Sequence, residues 1–329
     1  MNPIYNPSTN TRSVPFAVIS MTKFLNMIPQ GLPIVVYVVS CTTHDKAISF
    51  DSPSISSSIG DSGGKTEQKR QEKPREDQDK VISTYSTKLK SFGKEKNRYL
   101  NVKRTNIDIT IKPNEIFSFN KYVGPRTTEN GYLEAPLIFL GEMTSGIGGG
   151  VCQVSSTLYA VSRFAGLEIV ERRSHSRPSK YIEKGLDATV NFPKECNGHE
   201  DKNCQAVDLK IKNQYDFPVT IKSYLSDDEE AILKISVFGS GNHPTVSYMF
   251  GMSTNGLYVK TYRKTGKFLG KYKKKIQSGS DGLIVTSIFT QKWADGKNNK
   301  ITSVSNYEPV NEIWEVGLGW DGPPPWEIE

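Results

Sequence analysis

The spacing of apolar residues predicts one α-helix near the middle of the chain. Four apolar residues follow one another at steps of four, three and four, as on one face of a 3.6-residue repeat: Val154, Leu158, Val161 and Ala165. Gly166 follows at the position where helices commonly end. A glycine run, Gly148-Gly149-Gly150, leads into this pattern, and Cys152 therefore lies at or just before the first helical turn.

Alternation of apolar and polar residues predicts strands on both sides of this helix. The strand-like segments are residues 107–111, 116–119, 135–140, 167–172, 187–190, 207–211, 217–224 and 231–237. Residues 81–99 are interpreted as a helix or a mixed segment. We therefore expect an α+β domain over residues 81–239, with a mixed, mostly antiparallel sheet around one central helix that carries the cysteine at its start.

Residues 240–329 are expected to form a small β-rich C-terminal module. Tyrosine and phenylalanine interleave with lysine and arginine over residues 256–275, with Thr265-Gly266 at the centre. This pattern predicts a twisted, lysine-rich hairpin. Residues 278–290 predict a second hairpin, with Asp281-Gly282 as its turn.

The N-terminal region has the pattern of an export signal. An uncharged run over residues 24–40 ends in Val38-Val39-Ser40-Cys41, which resembles a bacterial lipobox. Residues 1–41 are therefore predicted to be a signal peptide with lipid attachment at Cys41, which would anchor the protein to the outer face of the membrane. An uncleaved membrane anchor and a buried strand are the alternatives. Residues 42–80 are polar and rich in serine and in charges of both signs, which predicts a disordered linker.

Composition limits the class of protein further. The length of 329 residues is enough for two domains or for one domain with tails. The hydrophobic content of 36% is low for a wholly globular chain, so part of the length is expected not to fold. Four cysteines in four different contexts exclude a disulfide-rich scaffold. The formal net charge of +7 is modest. A location outside the cytoplasm argues against nucleic acid, so the lysine-rich hairpin either binds an anionic wall polymer or is a solvated face.

The position of Cys152 is typical of a nucleophile. A thiol at a helix start lies near unpaired N–H groups and the positive end of the helix dipole, which favour the thiolate and lower the pKa. The bare backbone at Gly149 and Gly150 would let a substrate carbonyl approach, and free amides there could form an oxyanion hole. The alternative is a small structural thiol packed under the helix start.

A nucleophilic cysteine requires a base, and His175 is the best placed of four histidines. It follows the strand-like segment after the helix, so the two side chains can meet at one edge of the sheet. Asp187 is the candidate for the group that orients the imidazole. Asn191, Glu171 or a backbone carbonyl would serve as well.

Other polar residues are candidates for contacts with a substrate. Gln153, Ser155 and Ser156 make the helix start polar, and they either donate hydrogen bonds to a substrate or cap the helix. Arg126 follows Gly124-Pro125 in a loop, where a guanidinium either pairs with a substrate carboxylate or is solvated.

Several of these motifs together resemble the VanW-domain family, which is named for an accessory protein of glycopeptide-resistance clusters. The resemblance spans residues 81–239 and rests on these blocks: Phe117-Ser118-Phe119-Asn120, Gly124-Pro125-Arg126-Thr127, Gly131-Tyr132, Gly148-Gly149-Gly150-Val151-Cys152-Gln153-Val154-Ser155-Ser156-Thr157-Leu158-Tyr159, residues 165–172, His175-Ser176 and Asp187-Ala188-Thr189-Val190. Tyr132 joins Arg126 as a substrate-binding position on this basis.

The resemblance implies an L,D-transpeptidase of the cell wall. In that case Cys152 forms a thioester with a peptidoglycan stem peptide, and an acceptor stem completes a 3–3 cross-link. No cofactor is implied. The alternatives are a cysteine peptidase or amidase acting on stem peptides, and a non-catalytic lipoprotein of the wall in which Cys152 is structural.

Residues 192–206 interrupt the resemblance and look inserted. They contain Cys196, His199 and Cys204. Outside the cell, a disulfide between Cys196 and Cys204 is plausible. Free thiols are the alternative, and a zinc site would lack an evident fourth ligand.

Overall fold

The computed structural model of the chain describes residues 37–39, 80–139, 142–192, 206–266 and 270–322. These residues contain three α-helices, namely α1 (Lys96–Arg104), α2 (Phe119–Val123) and α3 (Val151–Phe164). The first eight strands are β1 (Tyr37–Val39), β2 (Lys80–Lys90), β3 (Asp108–Ile111), β4 (Ile116–Ser118), β5 (Glu134–Phe139), β6 (Glu142–Ile147), β7 (Glu168–Glu171) and β8 (Lys210–Lys212). The other eight are β9 (Val219–Leu225), β10 (Glu230–Gly239), β11 (Thr245–Thr254), β12 (Lys260–Lys264), β13 (Lys273–Gln277), β14 (Leu283–Lys292), β15 (Asn298–Tyr307) and β16 (Glu312–Val316).

Helix α3 packs between two four-stranded sheets. The first sheet has the order β2-β10-β9-β3 and the second has the order β1-β11-β14-β15. The four apolar residues that predicted the helical face are fully buried. Leu158 packs in the cluster formed with the first sheet, whereas Ala160 and Phe164 pack with the second. Strands are mostly antiparallel and helices are few, so the predicted α+β class is confirmed.

The start of the domain differs from the prediction. Residues 81–99 were expected to be a helix or a mixed segment, but most of this stretch is strand β2, and α1 begins only at Lys96. Strand β2 pairs with β10 over its whole length. Its inward side chains, among them Ile82 and Leu89, are buried in the hydrophobic core. Packing of alternate side chains on a sheet therefore decides this segment, as context commonly does for strands.

The segment 187–190 is a loop, although its alternation predicted a strand. It takes part in one isolated bridge, Arg173–Thr189, and a second bridge, Asn191–Val207, lies just beyond it. Its backbone groups pair mainly with side chains of α3. Ser156 accepts the Ala188 N–H at 3.0 Å, and Ser155 donates to the Ala188 carbonyl at 2.7 Å. These bonds replace the ladder that a strand would require.

The prediction of two hairpins in the C-terminal module, at residues 256–275 and 278–290, is wrong. Strands β12 and β13 do not pair with each other, because both pair with β16, which lies between them. Glu315 of β16 lies opposite Arg263 on one side and Lys274 on the other. Cations opposite each other in a direct hairpin would repel, and the acidic central strand removes that repulsion. The second hairpin is formed instead by β14 and β15. Binding of an anionic wall polymer to this lysine-rich sheet stays a prediction.

The N-terminal predictions fall almost wholly outside the described residues. Strand β1 pairs with Tyr248–Phe250 of β11 at the edge of the second sheet. Cys41 and residues 42–79 lie outside the described residues, as do Cys196 and Cys204. Among the residues that the structure describes, no helix has the length and apolar character needed to cross a membrane.

Candidate functional site

Cys152 is the second residue of helix α3. The turn before it depends on Gly150, whose φ of 108° is a left-handed value that favours glycine. A Cβ at Gly150 would lie 2.8 Å from Cγ of Arg98, and one at Gly149 would lie 2.6 Å from the Ala135 carbonyl oxygen. Both glycines thus allow close packing against the protein itself. The expectation that they leave space for a substrate is corrected accordingly.

Cys152 is a partly buried residue, and its thiol has polar neighbours. Its Sγ lies 3.6 Å from the Val190 carbonyl oxygen and 3.8 Å from Oγ1 of Thr189. The N–H of Val151 donates to Gly148, and that of Gln153 donates to Gly150. Among the described residues, none accepts from the N–H of Cys152 itself. That amide is therefore the candidate for an oxyanion donor at the helix start.

His175 lies beside the thiol, as the sequence predicted. It is buried, and its Nδ1 lies 2.7 Å from Oδ2 of Asp187. Its backbone N–H donates to the same oxygen at 2.7 Å. The imidazole also lies close enough to the Cys152 thiol for each group to shift the pKa of the other. Thiol, imidazole and carboxylate are therefore neighbours, as in a cysteine nucleophile with its base and orienting group.

Asp187 is the group that orients the imidazole. Its carboxylate is buried and accepts hydrogen bonds from Arg172 Nη2 at 3.1 Å and from the Tyr307 hydroxyl at 2.5 Å, in addition to those from His175. The alternative Glu171 is engaged elsewhere, because it accepts from the Asp208 N–H and pairs with Lys210. Asn191, the other alternative, exchanges backbone hydrogen bonds with Val207.

Electrostatics favour a thiolate paired with an imidazolium. Burial alone would raise the pKa of the Cys152 thiol, but the hydrogen bond and charge of His175 outweigh it and lower that pKa. Burial alone would lower the pKa of His175, but Tyr181, Asp187 and Cys152 together hold it well above its ordinary value. Burial opposes ionisation of Asp187 as well, yet the hydrogen bond from His175, its charge and that of Arg172 lower the pKa of Asp187 to about 2.

The polar residues at the helix start face the interior, which corrects the prediction that they contact a substrate. Gln153 is fully buried, and its amide donates to Oγ1 of Thr87 and to the Lys88 carbonyl, both at 3.0 Å. Ser155 and Ser156 bond to Ala188 instead. These contacts join α3 to β2 and to the loop that carries Asp187, so they hold the nucleophile and its partners in register.

Arg126 and Tyr132, also predicted to contact a substrate, are buried in the domain. Arg126 Nη2 donates to Oδ1 of Asn120 at 2.7 Å, and its guanidinium lies 5.7 Å from the Phe119 ring centroid. The Tyr132 hydroxyl lies 3.4 Å from Oγ1 of Thr105. Their positions are explained by interior packing rather than by access to a ligand.

Three residues near the site were missed by the sequence analysis. The Tyr181 hydroxyl donates to the Cys152 carbonyl at 3.3 Å, and the Arg98 guanidinium lies 5.3 Å from the Tyr181 ring centroid. Tyr307, from β15, donates to Asp187 and accepts the Gly185 N–H at 2.7 Å. All three come from segments distant in sequence, and no spacing pattern links them to Cys152.

Replacing Tyr307 with Phe is expected to remove a hydrogen bond that fixes the position of the Asp187 carboxylate. It removes one of the two donors to Oδ1 of Asp187 and leaves the Gly185 N–H without its buried acceptor, which costs about 1–3 kcal/mol of unfolding free energy. The rate of Cys152 alkylation at neutral pH should fall as well, because His175 is less firmly held. Urea unfolding and iodoacetamide kinetics measure the two effects.

Tyr248→Phe provides the matched control. Tyr248 is a buried tyrosine of the same sheet, and its hydroxyl contacts the Lys184 carbonyl and Ser287. This variant should lose stability without a change in thiol reactivity. If both variants alter the alkylation rate equally, Tyr307 has no specific link to the site.

One part of the chain is similar to known proteins. Residues 93–236 match the family described as VanW like protein. Cys152, His175 and Asp187 lie within the match, whereas Tyr307 lies beyond it.

Two relatives match over a similar length. The first is "Uncharacterized protein YoaR" of Bacillus subtilis (strain 168), 39% identical over 143 residues, which are 43% of this chain and 43% of the relative. The second is "Vancomycin B-type resistance protein VanW" of Enterococcus faecalis (strain ATCC 700802 / V583), 29% identical over 147 residues, which are 42% of this chain and 48% of the relative. The match thus spans less than half of either relative.

Proposed function

We propose that this chain, whose residues 93–236 match the VanW-like family, is a cysteine-dependent acyltransferase of peptidoglycan stem peptides. One observation carries the proposal: the thiol at a helix start lies close enough to a buried imidazole for that ring to lower its pKa, and the imidazole is hydrogen-bonded to a buried carboxylate. A purely structural cysteine would need neither partner.

The family supports the choice of substrate. VanW-like proteins are related to the cell wall and to vancomycin resistance, and one relative is named for that resistance. Peptidoglycan stem peptides are the amide-bearing component of the bacterial wall. They fit a site that is built for attack on an acyl carbon.

The reaction proceeds in two balanced steps. The Cys152 thiolate attacks the carbonyl carbon between the third and fourth residues of a donor stem. A carbon–sulfur bond forms, the carbon–nitrogen bond breaks, and the imidazolium of His175 gives its proton to the leaving amine of D-alanine. An acceptor amine then attacks the thioester and passes a proton back to His175, which forms the new amide and releases the thiolate.

The remaining groups act on charge and orientation. Asp187 stays ionised and holds the Nδ1–H of His175, which stabilises the imidazolium. The N–H of Cys152 is the donor proposed to stabilise the oxyanion that forms on the attacked carbonyl. The N-terminal dipole of α3 favours the thiolate before attack.

The test is mass spectrometry of the full chain after incubation with a disaccharide-tetrapeptide donor. We expect an acyl adduct on Cys152 with release of D-alanine, and a cross-linked dimer when an acceptor stem is added. The Cys152→Ala variant should form neither product. A shortened monomer without dimer would indicate the peptidase alternative. If the folded protein forms no adduct although iodoacetamide alkylates Cys152, the acyltransferase proposal is wrong.

Its location is proposed from the sequence. The lipobox-like residues Val38-Val39-Ser40-Cys41 favour a lipid anchor and action on the outer face of the membrane. Cleavage before Cys41 would remove β1 from the edge of β11. The N-terminus of the protein recovered from cell membranes decides between cleavage and retention.

A further inference from the structure

Arg98 of helix α1 lies over the glycine turn that precedes the nucleophile. Its Cγ is so close to Gly150 that a Cβ there would be 2.8 Å away. Its Nη2 donates to Oε1 of Gln153 at 2.8 Å. Arg98 therefore contacts the chain both two residues before Cys152 and one residue after it.

Tyr181 links this arginine to the reacting groups. The guanidinium carbon of Arg98 lies 5.3 Å from the Tyr181 ring centroid, within range of a cation–π contact. The Tyr181 hydroxyl donates to the Cys152 carbonyl, and Tyr181 also interacts electrostatically with His175. Cation, phenol and nucleophile thus share one side of the helix start.

Arg98 has hydrogen-bonding capacity that the described part of the protein does not use. A guanidinium carries five N–H donors. One bonds to Gln153, and Nη1 lies 3.7 Å from a carboxylate oxygen of Glu95, beyond normal hydrogen-bond length. The Nε–H is buried without an acceptor among the described residues. The side chain keeps 20% of its surface exposed, so it can still meet a ligand.

We propose that Arg98, held by Tyr181, binds the terminal carboxylate of the residue that the reaction releases. This rests on the proposed function and names its substrate class: peptides whose scissile amide lies one residue from a free C-terminus. The planar guanidinium of an arginine can bind a carboxylate through two parallel hydrogen bonds. One residue spans about 3.3–3.6 Å, so the carboxylate of the released residue stays within about that length of the attacked carbonyl. Arg98, which contacts Gly150 and Gln153 on either side of Cys152, is the cation proposed to meet it.

The consequence is specificity for the end of a peptide. A stem whose C-terminal carboxylate is amidated, or which is extended by one further residue, would place an uncharged group beside Arg98 and lose the ion pair. The partly buried guanidinium would then lose the carboxylate that it binds in the free acid, which disfavours binding.

The first experiment compares two donors on the full chain: a disaccharide-tetrapeptide with a free C-terminal carboxylate and the same compound as the amide. Wild-type protein should acylate about 10–100-fold faster with the free acid, as charge-assisted bidentate pairing implies. Arg98→Gln should lose most of that ratio, and Arg98→Lys should keep part of it. Arg104→Gln, on the same helix but over Tyr132, is the control and should keep the full ratio.

A second experiment separates failure of this inference from failure of the proposed function. Calorimetry on Cys152→Ala measures binding of the two tetrapeptides without any turnover. The free acid should bind more tightly than the amide, and adding Arg98→Gln should abolish the difference. If wild type forms adducts but the acid-to-amide ratio is the same in Arg98→Gln, the carboxylate assignment is wrong and the acyltransferase proposal stands. If no adduct forms, the acyltransferase proposal fails, and the calorimetric comparison still decides the role of Arg98.

Discussion

Asp187→Asn is expected to slow acylation of Cys152 by about 10²–10⁴-fold, the range that loss of a triad carboxylate produces. Every group that faces this carboxylate is a donor, including the His175 N–H, Arg172 and Tyr307. An asparagine amide would point N–H groups at donors, and it would remove the charge that stabilises the imidazolium. The measurement is the rate of adduct formation with the tetrapeptide donor, followed by mass spectrometry.

Glu171→Gln is the control for Asp187→Asn, because Glu171 is the other carboxylate considered for this role. Its side chain is 40% exposed and pairs with Lys210, so its removal should cost at most about 1 kcal/mol of stability and leave the acylation rate unchanged. If the acylation rate of Asp187→Asn lies within a factor of three of wild type, Asp187 does not act as the third member of a catalytic triad. The same conclusion follows if Glu171→Gln lowers the acylation rate as much as Asp187→Asn does.

The pH dependence of Cys152 alkylation is the second large effect. Because His175 lowers the pKa of the thiol, the thiolate in wild type should persist below the ordinary thiol pKa of about 8.5. In His175→Gln the pKa should return towards that value. Below its pKa, the thiolate fraction falls tenfold per pH unit. At pH 6.5 the variant should therefore react with iodoacetamide about 100-fold more slowly than it does at high pH, where the thiol is fully ionised.

Peptide mapping assigns the alkylation to Cys152, and His243→Gln is the matched control. The His243 ring contacts the Pro244 carbonyl and lies outside the site. It should reproduce the wild-type profile. Parallel pH curves for wild type and His175→Gln would show that the imidazole does not share the thiol's proton.

Local pattern was sufficient to predict the chemical centre. The 3.6-residue spacing gave the buried face of α3, and the glycine run with Cys152 gave its start. His175 and Asp187 were also predicted, although Glu171 and Asn191 remained open. Geometry decides between them, because only coordinates show that Glu171 turns outward to Lys210.

Residues whose role depends on distant packing were misread. Gln153 looked available because a polar residue at a helix start is commonly solvated, but α3 is covered on both sides by sheets. Its amide therefore bonds inside the protein. The pairing of β12 and β13 with β16 was equally hidden, since a parallel pair of strands far apart in sequence leaves no local turn signal.

The contact of Tyr307 with Asp187 makes the last third of the chain part of the candidate site. A fragment trimmed to the bounds of the family match, residues 93–236, would lack that hydroxyl and the sheet that seals the far side of α3. Such a fragment would expose Phe164 and leave the aspartate short of a donor. Inactivity of that fragment would then reflect the missing sheet, and a truncated protein made for assays should extend at least through β15.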